Sequence, residues 1–456
     1  MTEPAQTPGP SPLARTRAER TRRPEQARLA AFWLEAAVLV LFLAASAAPT
    51  PLYRVYQARW GFSATTLTAV FAVYVVFLLM TVLILGSLSD HVGRRPVIIT
   101  ALAVDTAACI LFLLAHGVGA LFAARALQGV AVGLAATALG AALLDLRPAG
   151  SLAPLVTSNA GTVGLAFGAL GTSVLAQYGP VPTTLVWWLL LGVLLAAIVL
   201  IAVIPEPGTV RPGALASLRP DVSVPRSARG TFARATPCLV AVWALGGFYL
   251  SLGPSLAAQL SGSPNLLWGG VITFLLTGLG AVTASAFRNS APPALMLGGC
   301  LGLLGGAVVT VAAIAASTPA LLLLGTAMAG LGFGPANVGA YRVIMARAAA
   351  SNRAGMISAV STVNYLAFGL PALIAGVATS HFGLHDTALV YSAAIALLAA
   401  AAAGGVLFES RARTRAPQPA ANTPTELPPG PCTVPPCTQA AHREAQPTRA
   451  PNNHSR

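Results

Sequence analysis

Lysine is absent from the chain, and all 27 of its basic residues are arginine. Charge of any kind is scarce, at 9% of 456 residues, against 55% hydrophobic residues and a mean hydropathy of +0.73. So little charge excludes a soluble domain, which cannot keep that much apolar surface from water, and the chain reads as an all-α polytopic membrane protein. No glycine-rich loop runs into a phosphate-binding lysine, so ATP is not the expected energy source. The six histidines (His91, His116, His381, His385, His442, His454) all fall in predicted loops or tails, and no nucleophile stands beside a base; no enzyme and no cofactor is expected. Five cysteines are an odd number. Cys109, Cys238 and Cys300 lie in apolar runs, and Cys432 and Cys437 lack a second Cys or His pair, so neither a disulfide framework nor a metal site follows. The net charge of +14 does not argue for nucleic acid, because the arginines gather in alternate loops and in both tails.

A helix crossing about 30 Å of hydrocarbon needs about 20 residues. On that measure twelve spans are predicted, at 30–49, 63–86, 97–116, 118–144, 152–177, 184–204, 237–260, 267–287, 294–315, 318–345, 354–380 and 387–408. The segments predicted on the amino-terminal side hold Arg94, Arg95, Arg147, the arginines from Arg211 to Arg234, Arg288, Arg342, Arg347 and Arg353, whereas the opposite loops hold only Arg54 and Arg59. That asymmetry predicts both termini in the cytoplasm of a plasma-membrane protein. The expected organisation is a disordered basic tail (1–29), a six-helix bundle (30–204), a Pro- and Arg-rich cytoplasmic linker (205–236), a second six-helix bundle (237–408) and a disordered tail (409–456). No signal peptide is expected at the amino terminus. Gly129, Gly133 and Leu165-Ala166-Phe167-Gly168 recur 201 residues later as Gly330, Gly334 and Leu366-Ala367-Phe368-Gly369, which argues that the halves are duplicates.

Between the second and third spans stands Gly86-Ser87-Leu88-Ser89-Asp90-His91-Val92-Gly93-Arg94-Arg95-Pro96. It resembles the signature loop of the major facilitator superfamily, G-x-L-x-D-[RK]-x-G-[RK]-[RK], at every defined position but His91. The resemblance covers about residues 30–408. It implies a twelve-helix transporter of two six-helix bundles, and it makes Gly86, Asp90, Gly93, Arg94, Arg95 and Asp145 candidates for a conformational latch. Arg94 is expected to pair with Asp145 while Asp90 faces the start of the eleventh helix near Arg353.

Glu35, Asp105 and Arg125 are the ionisable groups inside the spans, with Asp145 and Arg342 near span ends. Each mid-helix charge facing lipid costs about 2.5–3.5 kcal/mol, so these groups are expected to face a partner or water. Arg125 begins Arg125-Ala126-Leu127-Gln128-Gly129-Val130-Ala131-Val132-Gly133, similar to the R-x-x-Q-G-x-x-x-G pattern in the fourth helix of proton-coupled exporters of that superfamily. Asp105, Arg125 and Glu35 are therefore the candidates for proton coupling, beside a purely structural reading in which Arg125 satisfies Asp105 with Gln128 as third partner. Glu35, nearer its helix end, is expected to reach towards water. Gly129, Gly133 and Gly140, and Gly161, Gly164, Gly168 and Gly171, recur at close-packing spacing. The G-P-x-x-G-G ending of the fifth helix in many exporters is not present, Ala169 taking the proline position.

Tyr74, Gln128, Trp243, Tyr249, Asn337, Asn364 and Tyr365 are the candidates to line a central cavity. Such a chamber suits a lipophilic or amphipathic solute better than a sugar, whose hydroxyls need many buried partners. The expected function is proton-coupled efflux of a small molecule by a monomer in a lipid bilayer. Uptake by symport or uniport, and a non-transporting membrane receptor, are the alternatives left open.

Overall fold

The computed structural model of the protein describes residues 12–146, 153–206, 208, 212–349 and 352–415. Among them all regular structure is helical. The helices are α1 (Pro12–Ala47), α2 (Pro49–Trp60), α3 (Ala64–Leu85), α4 (Ser89–Val92), α5 (Arg94–Leu113), α6 (Val118–Asp145), α7 (Ala153–Tyr178) and α8 (Leu185–Val203). After a one-turn 3-10 helix at Ala216–Leu218 follow α9 (Arg229–Ser251), α10 (Gly253–Ser261), α11 (Leu267–Ala286), α12 (Pro292–Ala315), α13 (Pro319–Met345), α14 (Arg353–Phe382) and α15 (Leu384–Arg415). Among the described residues twelve helical stretches are long and apolar enough to cross a membrane, matching the predicted spans in number and order.

The boundaries differ where chemistry local to the helix ends decides them. The first helix starts at Pro12, inside the stretch expected to be a tail, because Leu, Ala, Glu, Gln and Arg between Pro12 and Ala30 are good helix formers. The first span also runs on as α2. Pro49 and Pro51 lack the N–H that the preceding turn needs, so the helix breaks after Ala47 and restarts with proline in its first turn. The seventh span repeats the device: α9 stops at Ser251, and α10 restarts with Pro254 in its first turn. At the carboxyl side α15 continues to Arg415, past the expected start of the tail at 409. Arg147, Arg211 and residues 416–456, with Cys432, Cys437, His442 and His454, lie outside the described residues.

Two apolar cores result. One gathers Phe32, Phe42, Phe71 and Trp187 from α1 to α8, together with Leu250, Phe368 and Ala372; the other gathers Leu245, Phe248, Leu303 and Met356 from α9 to α15. Between helices in lipid the drive is close packing and not escape from water, and the repeated glycines supply it. Gly133 on α6 lies so near α3 that a Cβ on it would stand 2.7 Å from the Cβ of Thr81, and one on Gly129 would collide with the Tyr74 carbonyl. Gly330 and Gly334 on α13 meet the carbonyls of Leu275 and Gly280 on α11 in the same way. Gly164 and Gly168 press on Val40 and Ala44 of α1; Gly140 and Gly171 touch nothing within 4 Å, so only part of the expected glycine face is a contact.

The helices of the two cores meet mainly through α7 with α11 and α3 with α14. At the end away from α4, here the far end, Thr50 Oγ1 donates to the Leu250 carbonyl at 3.1 Å. There too Thr65 Oγ1 reaches Ser380 Oγ at 2.8 Å and the Gly376 carbonyl at 3.2 Å, and the Leu266 N–H donates to Gln177 Oε1 at 3.0 Å.

Candidate functional site

At the opposite end, the linker end, the signature loop folds into the single turn α4, and Gly93 then takes φ 108°, a value that side-chain-bearing residues avoid. This turns the chain into α5 with Arg94 at its start. Arg94 Nε pairs with Asp145 Oδ2 at 3.2 Å, and its Nη1 meets both Asp90 and Ser89 Oγ, the latter at 2.8 Å. The expected Arg94 to Asp145 contact is thus present. Asp90, however, pairs with Arg94 and not with the eleventh span. Arg95 donates to the Ala202 carbonyl, and Gly86 closes α3 beside Thr137. His91 Nδ1 lies 3.0 Å from the Ser87 carbonyl, folded onto its own turn.

The linker supplies what Asp90 does not. Glu206 accepts from the backbone N–H groups of Arg94 (2.7 Å) and Arg95 (3.0 Å), placing a carboxylate on the amino terminus of α5. Further along, Ser217 accepts from Ser87 Oγ at 2.9 Å, and the Ser223 N–H donates to the Gly355 carbonyl at 3.3 Å. A Cβ on Gly355, in the first turn of α14, would stand 3.1 Å from both carboxylate oxygens of Asp221. The segment expected to be a free tether is therefore laid from the α4 corner to the start of α14, and its last residues, from Arg229, already belong to α9.

In the interior, Arg125 and Asp105 are fully buried and make no ion pair. Arg125 Nη1 donates instead to the Ser46 carbonyl at 2.9 Å and to Gln128 Oε1 at 2.6 Å, while Gln128 Nε2 donates to the Ala45 carbonyl at 3.0 Å. The reason is the break between α1 and α2: Pro49 has no N–H to offer Ala45, so the last turn of α1 keeps carbonyls that need donors. The guanidinium carbon also lies 4.2 Å from the ring centroid of Tyr74, 5.8 Å from Phe71 and 5.9 Å from Tyr53. Asp105 faces Gln128, whose amide is near enough to act on it, and Arg125, yet neither of its oxygens makes a hydrogen bond of ordinary length and angle among the described residues. Glu35 does not reach water: it is 2% exposed, its Oε2 has no partner among the described residues, and the charges it senses are Glu206 and Asp145, which places it near the Arg94 cluster.

Of the expected cavity residues, Tyr74 and Gln128 surround Arg125. Across from them Trp243 Nε1 donates to Asn337 Oδ1 at 3.1 Å and sets its ring edge-on to Tyr365 (5.4 Å) and Phe368 (5.6 Å). Phe71 meets Phe368 at 5.0 Å, and Tyr74 faces Tyr365, so the two groups touch. Asn364 is buried with its Oδ1 unpartnered. Tyr249 stands apart: its hydroxyl lies 2.8 Å from Thr326 Oγ1 inside the second core, which makes it a packing residue and not a cavity wall. Phe71, Tyr53, Ser46, Glu206 and Asp221 were not singled out from sequence. Phe368 had a signal, its place in the repeated Leu-Ala-Phe-Gly.

Among the described residues, then, twelve apolar helices enclose a few buried charges, with the signature-loop ion pairs at one end. The profile described as Major Facilitator Superfamily matches residues 36–289, more than half the chain. The chain belongs to the major facilitator superfamily. It is a multi-pass membrane protein and a secondary transporter, not an enzyme. Among solved structures it is similar to the human organic anion transporter MFSD10 (TETRAN), with a TM-score of 0.60, 16% identity, and cover of 83% of this chain and 99% of that one. It is also similar to the nucleoside transporter NupG, with a TM-score of 0.60, 12% identity, and cover of 82% and 98%. A variant of NupG gives 0.62, 12%, 83% and 99%. At such identities the likeness speaks to the fold. No curated protein sequence matches the chain significantly.

Proposed function

We propose that the chain exports a small lipophilic or amphipathic solute in exchange for protons, the helices before and after the linker rocking as two bodies. The arginine asymmetry supports a plasma-membrane orientation with the linker end and both termini in the cytoplasm. On that orientation the far-end contacts close the outer side, and the aromatic groups around Tyr74, Trp243 and Tyr365 form a chamber with few polar partners, suited to an apolar body. Arg94, Asp90 and Asp145, with Glu206, serve as the latch that fixes the linker end of the first body.

The observation that carries the reading is Asp105, 0% exposed, near the neutral Gln128 amide and without an ion pair among the described residues, while the neighbouring guanidinium is held by α1. A buried charge needs a partner, and the site leaves Asp105 either a proton or Arg125 for that role. Arg125 is tied to the α1–α2 break and Asp105 rides on α5, so relative movement of these helices exchanges one counter-charge for the other. That exchange is a proton-coupling step.

The test is transport of labelled lipophilic solutes by proteoliposomes, with and without a proton gradient. Asp105→Asn is expected to abolish gradient-driven movement and to retain counterflow. Driven transport that survives in Asp105→Asn but is lost in Glu35→Gln assigns the step to Glu35, and a gradient response in both variants refutes coupling through these carboxylates. Accumulation driven in the same direction as the proton gradient would make the protein a symporter.

A further inference from the structure

At the far end α2 and α10 lie against each other, and between them opens a cavity of about 640 Å³. Its polar wall is Arg54 and Gln57 of α2 with Ser255, Gln259 and Ser263 from α10 and the turn after it; Ala58 and Ala258 supply an apolar surface. One turn before Arg54, Thr50 makes the hydrogen bond to Leu250 that joins the first and seventh spans, so the cavity sits on the seam.

Arg54 brings a full positive charge that nothing here neutralises. Its Nη1 is buried and meets no acceptor among the described residues. The lining contains no carboxylate. Of all the loops at this end only one residue is acidic, Asp386, and its carboxylate is engaged with His385 at 3.0 Å. A guanidinium presents its N–H groups as a planar fork matched to two oxygens of one anion, and a cation entering the same space meets repulsion with no compensating acid. Ser263 Oγ accepts from the Asn265 N–H at 3.2 Å and keeps its own proton to give, adding a neutral donor beside the charge. Gln57 spends its Nε2 on the Phe62 carbonyl at 3.0 Å, which fixes that side chain against the wall.

We infer that this cavity is a binding site for a small organic anion, a carboxylate or sulfonate on a compact apolar body, with Arg54 as its counter-charge. The site is separate from the Asp105 and Arg125 cluster in the interior. It requires neither proton coupling nor export, so the failure of either leaves it standing.

The experiment uses the purified full chain in detergent and three probes of one shape: benzoate, neutral benzamide and cationic benzylammonium, followed by equilibrium dialysis of labelled compound. Saturable binding of benzoate is expected, with benzamide weaker by about tenfold, the worth of one charge-assisted contact. Arg54→Gln should lower benzoate affinity by a similar factor, and Arg59→Gln, an exposed arginine outside the cavity, should leave it unchanged. If Arg54→Gln does not fold, Arg54→Lys takes its place, with binding that falls as ionic strength rises. Benzamide binding as tightly as benzoate, benzoate binding that survives Arg54→Gln or ignores salt in Arg54→Lys, or the absence of saturable benzoate binding overturns the inference.

Discussion

Arg125 and Thr326 stand 201 residues apart on α6 and α13, the same spacing that relates the repeated glycines, and their surroundings part company completely. In the first half Asp105 faces Gln128; the residues 201 further on are Gly306 and Ala329, packed so closely that a Cβ on Gly306 would stand 2.7 Å from that of Ala329. Where one half keeps a carboxylate and an amide, the other closes helix on helix. Thr326 likewise donates its hydroxyl to the Leu322 carbonyl at 2.7 Å and meets the Tyr249 hydroxyl at 2.8 Å inside the second core, whereas Arg125 lies among aromatic rings that reach the other half through Phe71 and Phe368. The comparison teaches that two halves built on the same helix contacts differ inside: among the described residues the first holds the buried charges, Glu35, Asp105 and Arg125, and the second sets neutral aromatic rings against them.

The largest test of that division exchanges the matching residues for apolar ones of similar size. Arg125→Met strands the Ser46 carbonyl and Gln128 and removes the cation beside Asp105, so solute flux in proteoliposomes is expected to fall to background. Unpaired buried groups of this kind cost about 1–3 kcal/mol each, which thermal unfolding in detergent will register. Thr326→Val should lower stability by about 1 kcal/mol through the lost contact to Tyr249 and leave flux near the parent value. Equal loss of flux in both variants would mean that the charge is not confined to one half in function.

A second test uses the repeated Leu-Ala-Phe-Gly. Gly168 presses on the backbone of Ala44 within its own half, but its counterpart Gly369 meets Val75 of the other half, where an added Cβ would lie 3.1 Å from the Val75 Cβ. Gly168→Ala is therefore expected to overpack the first half and destabilise it by about 1–3 kcal/mol. Gly369→Ala should instead loosen the far-end seam. A cysteine placed at Ala64, with Cys432 and Cys437 replaced by serine, is expected to react faster with maleimide in Gly369→Ala and at the parent rate in Gly168→Ala.

These contrasts show what could be read from sequence. The spans were legible because about 20 apolar residues in a row have few other uses, and the repeat because glycines at close contacts admit no substitute. Arg94 with Asp145 was legible because both sit at helix ends on one side. The failed pairing of Asp105 with Arg125 was not. Charge counting names the two partners, but Arg125 goes to the Ser46 carbonyl in the last turn of α1, and that competition exists only once α1 and α6 are packed. Tyr249 was misplaced for a similar reason: an aromatic in a span looks the same whether it turns to the centre or to Thr326. The linker misled most, since its composition lacks an apolar face and its order comes from hydrogen bonds to helix ends, which periodicity does not register.

The smallest expected effect separates the two carboxylates of that linker, because each holds a different half. Glu206 receives two backbone N–H groups at the start of α5, so Glu206→Gln should weaken a helix cap at a cost of about 0.5–2 kcal/mol and lower the unfolding temperature slightly. Asp221 and Ser223 lie against Gly355 at the start of α14, where the contact is one hydrogen bond and a carboxylate near a helix terminus. Asp221→Asn, which removes the carboxylate charge and leaves the Ser223 N–H bond to Gly355 in place, should change global stability by less than about 0.5 kcal/mol, as surface changes usually do. Its effect appears in local opening: trypsin should cut after Arg226 faster than in the parent chain, while Glu206→Gln leaves that site slow. Rapid cutting after Arg226 in the unaltered protein would return the segment to a free tether and leave the start of α14 without the acid that Asp221 supplies.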